Sequence, residues 1–119
     1  EINNTLMITI YHNPRCSKSR GCNVMLEELG KEVKVINYMK ELFTETTLKE
    51  VIDLLKIKPI ELVRKNEQDW KDHYKGKELN DSEIIKAMVK YPKLIERPIV
   101  VNGNKAAIGR PLEAVKAIL

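Results

Sequence analysis

The run His12-Asn13-Pro14-Arg15-Cys16-Ser17-Lys18-Ser19-Arg20 concentrates the residue types that can do covalent chemistry. Its cysteine follows a Pro-containing turn and opens a helical pattern. The sulfur therefore faces unpaired backbone N–H groups and the positive end of a helix dipole. Both favour the thiolate, the form in which cysteine is a nucleophile. Arg15, Lys18 and Arg20 add three positive charges with no acid among them. That field also favours a small anion beside the thiolate. The plainer reading is a small apolar side chain among solvated cations, but structural cysteines seldom keep such company.

Two other motifs that a cysteine here could begin are absent. A Cys-x5-Arg loop needs arginine where Cys22 stands, and a Cys-x-x-Cys redox pair needs cysteine where Ser19 stands. Cys22 shares a helical face with Met25, Leu26 and Leu29, so burial is expected. As a resolving thiol it is poorly placed: the intervening helix gives ~9 Å of rise and about 240° of rotation. A disulfide wants its Cβ atoms ~4 Å apart. A thiol from outside the chain is then needed to complete a redox cycle. Two roles are open for His12, stabilising the thiolate or serving as a polar strand end. Asn13 and Ser17 could contact an oxyanion, or shape the turn and cap the helix. His73 has no partner in the sequence and is assigned no role.

These residues need a scaffold. A chain of 119 residues suffices for one core and one domain. With 43% hydrophobic and 32% charged residues, the composition excludes a disordered chain. Net charge is +4, from 21 Lys and Arg against 17 Asp and Glu. The acids are interspersed with the lysines, so charge gives no argument for nucleic acid. No apolar run approaches the ~20 residues of a membrane span. No signal segment is evident, so a cytoplasmic location is expected. Two cysteines cannot make a disulfide scaffold, and His12 and His73 lie too far apart for a zinc pattern. No metal and no bound cofactor are expected.

Glu1 to Leu6 read as a tail ahead of a start near Met7. Met7 to Tyr11 is apolar and β-prone, a short strand stopped by His12-Asn13-Pro14. A helix follows from about Cys16 to Leu29, with Gly30 as its C-cap glycine. Val33, Val35 and Ile36 form a second strand, and a β-α-β unit implies that the two strands run parallel. Residues 44 to 92 read as a helical insertion. Thr47 with Glu50 suggests a capping box ahead of Leu48, Val51, Ile52 and Leu55. Pro59 opens a short helix carrying Leu62, Val63 and Arg64. Lys65 to Lys77 reads as a loop with a turn near Gly76. Asp81 or Ser82 then caps a helix that turns Ile84, Ile85, Met88 and Val89 inward and ends at Pro92. Ile99-Val100-Val101 is a strand, Asn102-Gly103 a type I′ hairpin turn, and Lys105 to Ile108 the returning strand. Pro111 opens a last helix with Leu112, Val115, Ile118 and Leu119 inward. The order β-α-β, helices, β-β-α is that of an α/β, thioredoxin-like fold: a mixed four-stranded sheet with a helical insertion.

Four segments together resemble a known family. They are His12-Asn13-Pro14 running into Cys16, Leu62-Val63-Arg64-Lys65-Asn66, Arg97-Pro98-Ile99-Val100-Val101, and Gly109-Arg110-Pro111. In order and spacing they resemble the glutaredoxin-coupled arsenate reductase family, from about Met7 to the C-terminus. The resemblance implies a thioredoxin-like fold in which Cys16 attacks arsenate and Arg64, Arg97 and Arg110 bind the oxyanion. His12, Asn13, Ser17, Arg20 and Pro98 would support that site. It also implies glutathione as co-substrate and glutaredoxin as partner, while charge and hydropathy lead to no expected membrane or nucleic-acid partner. The arginines make physical sense, because a planar guanidinium binds two oxygens of an oxyanion in parallel and a lysine cannot. For a lone arginine, an exposed ion pair is the alternative. A cis Arg97–Pro98 bond, which thioredoxin-like folds suggest, would carry Arg97 to the cysteine loop. Arg110, just before the last helix, would point at a pocket edge.

Two other functions stay open. Spx-type redox-sensing regulators that bind RNA polymerase belong to the same family. They usually carry Cys-x-x-Cys, however, and Ser19 replaces its second cysteine. A glutathione-dependent reductase of another substrate is the other option, because Arg15, Ser17 and Lys18 are bulkier or more basic than in the best-known arsenate reductases.

Overall fold

The computed structural model describes residues 8–119. The expected tail, Glu1 to Leu6, and the expected strand residue Met7 lie outside the described residues. In chain order the elements are β1 (Ile8–His12), α1 (Ser17–Glu28), β2 (Val33–Asn37), α2 (Glu45–Leu55), α3 (Gln68–His73), α4 (Asp81–Lys90), β3 (Ile99–Asn102), β4 (Lys105–Ile108) and α5 (Leu112–Lys116), with 3₁₀ turns at Pro59–Leu62 and Pro92–Leu94. The chain forms two compact units: the described residues up to Glu41 together with Arg97–Leu119, and Leu42–Glu96.

The first unit carries the sheet, in the order β2-β1-β3-β4. As expected, β2 runs parallel to β1, while β3 is antiparallel to β1 and β4 to β3. This is the mixed four-stranded sheet of the thioredoxin-like fold. Ile8 and Ile10 of β1, Cys22 and Leu26 of α1, Val100 of β3 and Val115 of α5 form its buried core. Met25, Val33, Leu112, Ile118 and Leu119 pack against them. Burying each such aliphatic side chain contributes about 1.5–3 kcal/mol. Leu29 departs from expectation. It is the residue that caps α1 and is 49% exposed, because the helix stops at Glu28 before the apolar face completes another turn. Gly30 follows with φ 72°, a left-handed conformation open to glycine at little steric cost.

The hairpin also differs by one position. Asn102 pairs with Lys105, so the loop residues are Gly103 and Asn104 rather than Asn102 and Gly103. Gly103 has φ 62°, and Lys56 is the single non-glycine residue with positive φ among the described residues. The φ signs are therefore those of a type II′ turn, which asks for glycine first.

The second unit holds α2, α3, α4 and both 3₁₀ turns. Both of its expected caps shift toward the N-terminus. Thr44 caps α2: its Oγ1 accepts from the Thr47 N–H at 3.1 Å, and Thr47 Oγ1 accepts from the Thr44 N–H at 2.9 Å. Thr47 is thus the returning member of the box rather than the cap. At α4, Asn80 caps, accepting from the Glu83 N–H at 2.8 Å, while Glu83 accepts from the Asn80 N–H at 2.9 Å. A cap at Asp81 or Ser82 would have Ile84 or Ile85 as third residue, and neither can return the bond.

Val63 and Arg64 leave the 3₁₀ turn rather than continuing a helix. Val63 bridges Ile95, the Arg64 N–H donates to the Leu94 carbonyl at 2.7 Å, and the Glu96 N–H donates to the Leu62 carbonyl at 2.9 Å. The stretch read as a loop contains the six-residue helix α3, anchored by buried Trp70, whose ring lies 5.3 Å from that of Tyr74. Among the described residues no helix is long and apolar enough to cross a membrane.

The contrast between the two leucines of α1 is testable. Leu26 is fully buried in the sheet unit's core, so Leu26→Ala should cost about 2–5 kcal/mol in urea unfolding. Leu29→Ala, at a half-exposed helix end, should stay within about 0.5 kcal/mol. Equal losses would mean that the apolar face of α1 is assigned wrongly.

Candidate active site

Sheet register gathers the site. Tyr11 of β1 lies opposite Ile99 of β3, and Ile99 lies opposite Ile108 of β4. The next residues outward are His12 leading to Cys16, Pro98 preceded by Arg97, and Gly109 followed by Arg110. Three segments distant in sequence thus leave one edge of the sheet side by side.

Cys16 is the N-cap residue of α1, in extended conformation at φ −97° and ψ 122°. Its own N–H donates to the Asn13 carbonyl at 3.0 Å, and its carbonyl accepts from the Arg20 N–H at 3.0 Å. The sulfur is half-buried. Burial pushes its pKa up, but the amides of Ser19 and Lys18 in the first turn and the Arg97 guanidinium outweigh that, lowering it to about 7. No hydrogen bond of ideal cap geometry forms, yet these amides face the sulfur electrostatically. No acid sits in the first turn of α1. At neutral pH a large share of Cys16 is thiolate. Cys22 shows the opposite: fully buried in the core, its thiol is pushed up to about 11 by desolvation. Both cysteines are free.

The turn before Cys16 is tied to the helix by a residue whose role is not visible in the sequence. The hydroxyl of Ser19, completely buried, is hydrogen-bonded to His12 Nδ1 at 2.6 Å and accepts from the Asn13 N–H at 3.0 Å. His12 is buried at the end of β1, and its pKa is lowered by desolvation and by the nearby Arg20 charge. Its hydrogen-bond partner is therefore Ser19. Asn13 shapes the turn, with its side-chain oxygen accepting from the Arg15 N–H at 3.0 Å. Arg20 pins the same turn by donating to the Pro14 carbonyl at 2.8 Å. Ser17 is the exposed first residue of α1.

Arg97 and Arg110 meet at the sulfur. Arg97 hydrogen-bonds Cys16 through its side chain, and Arg110 donates from Nη2 to Cys16 Sγ at 3.3 Å. Arg110 also donates from Nε to the Arg97 carbonyl at 2.8 Å, which links the two arginine-bearing segments. Both Arg97–Pro98 and Arg110–Pro111 are cis. Pro98 is fully buried. Arg64 belongs to the other unit, where its guanidinium pairs with Glu67 and lies 3.7 Å from Glu96. Chemically, the first unit offers a nucleophilic thiolate flanked by two guanidinium groups, a setting suited to a compact oxyanion. Among the described residues no three His, Cys, Asp or Glu side chains are grouped to hold a metal ion.

Alkylation by iodoacetamide, followed across pH and read by mass spectrometry, should separate the two thiols. Cys16 should react with a midpoint about 7, its rate falling as pH drops through that value, while Cys22 stays nearly inert. Equal reactivity of both would contradict the electrostatics derived above.

Comparison with known proteins places the chain. Residues 11–118 match the ArsC family. The chain is 42% identical to the protein YfgD of Escherichia coli (strain K12), a name that assigns no activity, over 97% of this chain and 98% of that protein. It is 36% identical to the arsenate reductase of Haemophilus influenzae, over 96% of this chain and all of the relative. Among solved structures, the arsenate reductase from Vibrio cholerae superposes with a TM-score of 0.91 at 39% identity, covering 96% of this chain and 98% of that one. The shared scaffold and the match over nearly the whole of this sequence agree: this chain belongs to the ArsC family.

Proposed function

We propose that this protein is a thiol-dependent reductase that converts arsenate to arsenite through Cys16. The observation that carries the reading is the half-buried Cys16 sulfur contacted by both Arg97 and Arg110. Relatives named arsenate reductase support the substrate. Arsenate at neutral pH is a small multiply charged oxyanion, and two guanidinium forks can each take two of its oxygens. They neutralise its charge, which favours attack by an anionic nucleophile.

The Cys16 thiolate attacks arsenic(V), forms an S–As bond and displaces a hydroxide, which takes a proton from solvent and departs as water. A glutathione thiolate then attacks the Cys16 sulfur. The electron pair of the S–As bond goes to arsenic, which leaves as arsenite, and Cys16 is left in a mixed disulfide with glutathione. Arsenic gains two electrons and the two thiols lose them. Glutaredoxin reduces the mixed disulfide and restores Cys16. An external thiol is needed because Cys22 is buried and stays protonated. A cytoplasmic setting, which keeps glutathione reduced, suits this cycle.

Steady-state arsenate reduction with glutathione and glutaredoxin, against thioredoxin alone, tests the reading. Cys16→Ser should abolish turnover without unfolding the chain, since an alcohol stays protonated at neutral pH. Cys22→Ser should keep most activity while losing about 1–3 kcal/mol of stability from a buried hydroxyl. A folded Cys22→Ser variant that stalls after arsenate attack would overturn the external-thiol cycle. The arginines are tested separately. Arg97→Lys and Arg110→Lys keep the charge but lose the fork, so arsenate affinity should fall roughly tenfold or more each, in line with about 1.5–3 kcal/mol for a hydrogen bond to a charged group. Unchanged affinity in both variants would remove the oxyanion role.

A further inference from the structure

We propose that Gly109 is a positioning residue of this site: the absence of a side chain there lets the two Arg-Pro segments interlock so that Arg97 and Arg110 reach the same sulfur. The inference rests on the functional reading above for its substrate, though its geometry stands apart from it. Gly109 is buried, and its φ lies outside the left-handed region, so its backbone conformation alone does not demand glycine. Space does. A Cβ built on Gly109 would lie 2.7 Å from Pro98 Cγ, 3.3 Å from Pro98 Cδ and 3.4 Å from Cys22 Sγ. A proline ring cannot swing away as a flexible chain can, and Pro98 is itself fully buried.

The close approach has a visible product. Gly109 donates its N–H to the Pro98 carbonyl at 2.8 Å, and the next residue donates Nε to the Arg97 carbonyl at 2.8 Å. These two bonds lace segment 97–98 to segment 109–110. Arg110 then extends Nη2 to Cys16 Sγ at 3.3 Å, and Arg97 bonds the same sulfur. A methyl group at position 109 would wedge the segments apart and move one guanidinium relative to the other. Gly21 is the natural control: it lies exposed on α1, and a Cβ built there meets nothing within 4 Å.

The test compares Gly109→Ala with Gly21→Ala in the full chain, by circular dichroism, Cys16 alkylation across pH, and protection of that alkylation by arsenate or phosphate. Gly109→Ala should stay folded while its oxyanion protection weakens roughly tenfold to a hundredfold, the scale expected for displacing a site group by ~1 Å. Its alkylation midpoint should rise from about 7, and Gly21→Ala should match the parent in both readouts. In an Arg110→Lys background Gly109→Ala should cost much less, because the group it positions is already gone. A folded Gly109→Ala with parental midpoint and protection overturns the proposal, as do losses that simply add across the cycle. Failure of Gly109→Ala to fold also overturns it, in favour of a purely structural glycine. If the parent shows no protection by arsenate, the substrate reading falls, and the alkylation midpoint alone decides the role of Gly109.

Discussion

A sulfur held partly out of water loses the hydration that an anion needs, and the first unit is organised around making up that loss at Cys16. Burial alone would raise its pKa, as it does for Cys22, the same side chain six positions along the same helix. The reversal at Cys16 comes from the amides of Ser19 and Lys18 and from Arg97. Those amides are available only because α1 begins at Ser17 and leaves its first N–H groups without helical partners. The start of the helix is therefore as much a part of the site as the cysteine.

Fixing that start depends on the turn and on the sheet. Ser19 holds the turn from inside through His12 and Asn13, and Arg20 holds it from outside through the Pro14 carbonyl. The arginines come from the neighbouring segments that extend β3 and β4 past the paired positions Ile99 and Ile108. Neither strand supplies the chemistry. Their register decides which loop residues stand beside the sulfur, as is common where rigid elements position functional loops.

The sequence made this much legible because its strongest signals are local. Short apolar, β-prone runs marked the strands, the 3.6-residue repeat marked α1, and Pro14, Gly30 and Gly103 marked the turns. Where two local solutions competed, the pattern could not choose. Asn102-Gly103 and Gly103-Asn104 both suit a two-residue loop, and pairing across the ladder selected the second. At α4 the reciprocal bonds between Asn80 and Glu83 distinguish Asn80 from its neighbours as the cap. Helix α3 carries little periodicity and is held by one buried tryptophan. Cys16 stood out by type and by the cations around it, Arg97 and Arg110 through the family resemblance, and the structure brings the three together. Ser19 and Gly109 were visible only as a missing cysteine and as part of a motif, and their roles were not. One acts through a buried hydroxyl, the other through volume it does not occupy, and neither leaves a pattern in a single sequence.

Ser19 also bears on where the second electron of the proposed reduction comes from. It occupies the position that a partner cysteine would take in a Cys-x-x-Cys pair, and its side chain is committed elsewhere. A thiol is a weaker and longer hydrogen-bonding group than a hydroxyl. It would hold the His12 ring at 2.6 Å and the Asn13 N–H at 3.0 Å poorly, and the turn that presents Cys16 would loosen. The geometry that shapes the nucleophile's loop is thus at odds with an internal redox partner at that position. Cys22 is no substitute, because it lies in the core with Ile10, Leu26 and Val100 and is held protonated by desolvation. A chain built this way can supply one thiolate and one electron from it. Under the proposed function, reducing arsenic by two electrons then calls for a thiol that arrives from solution.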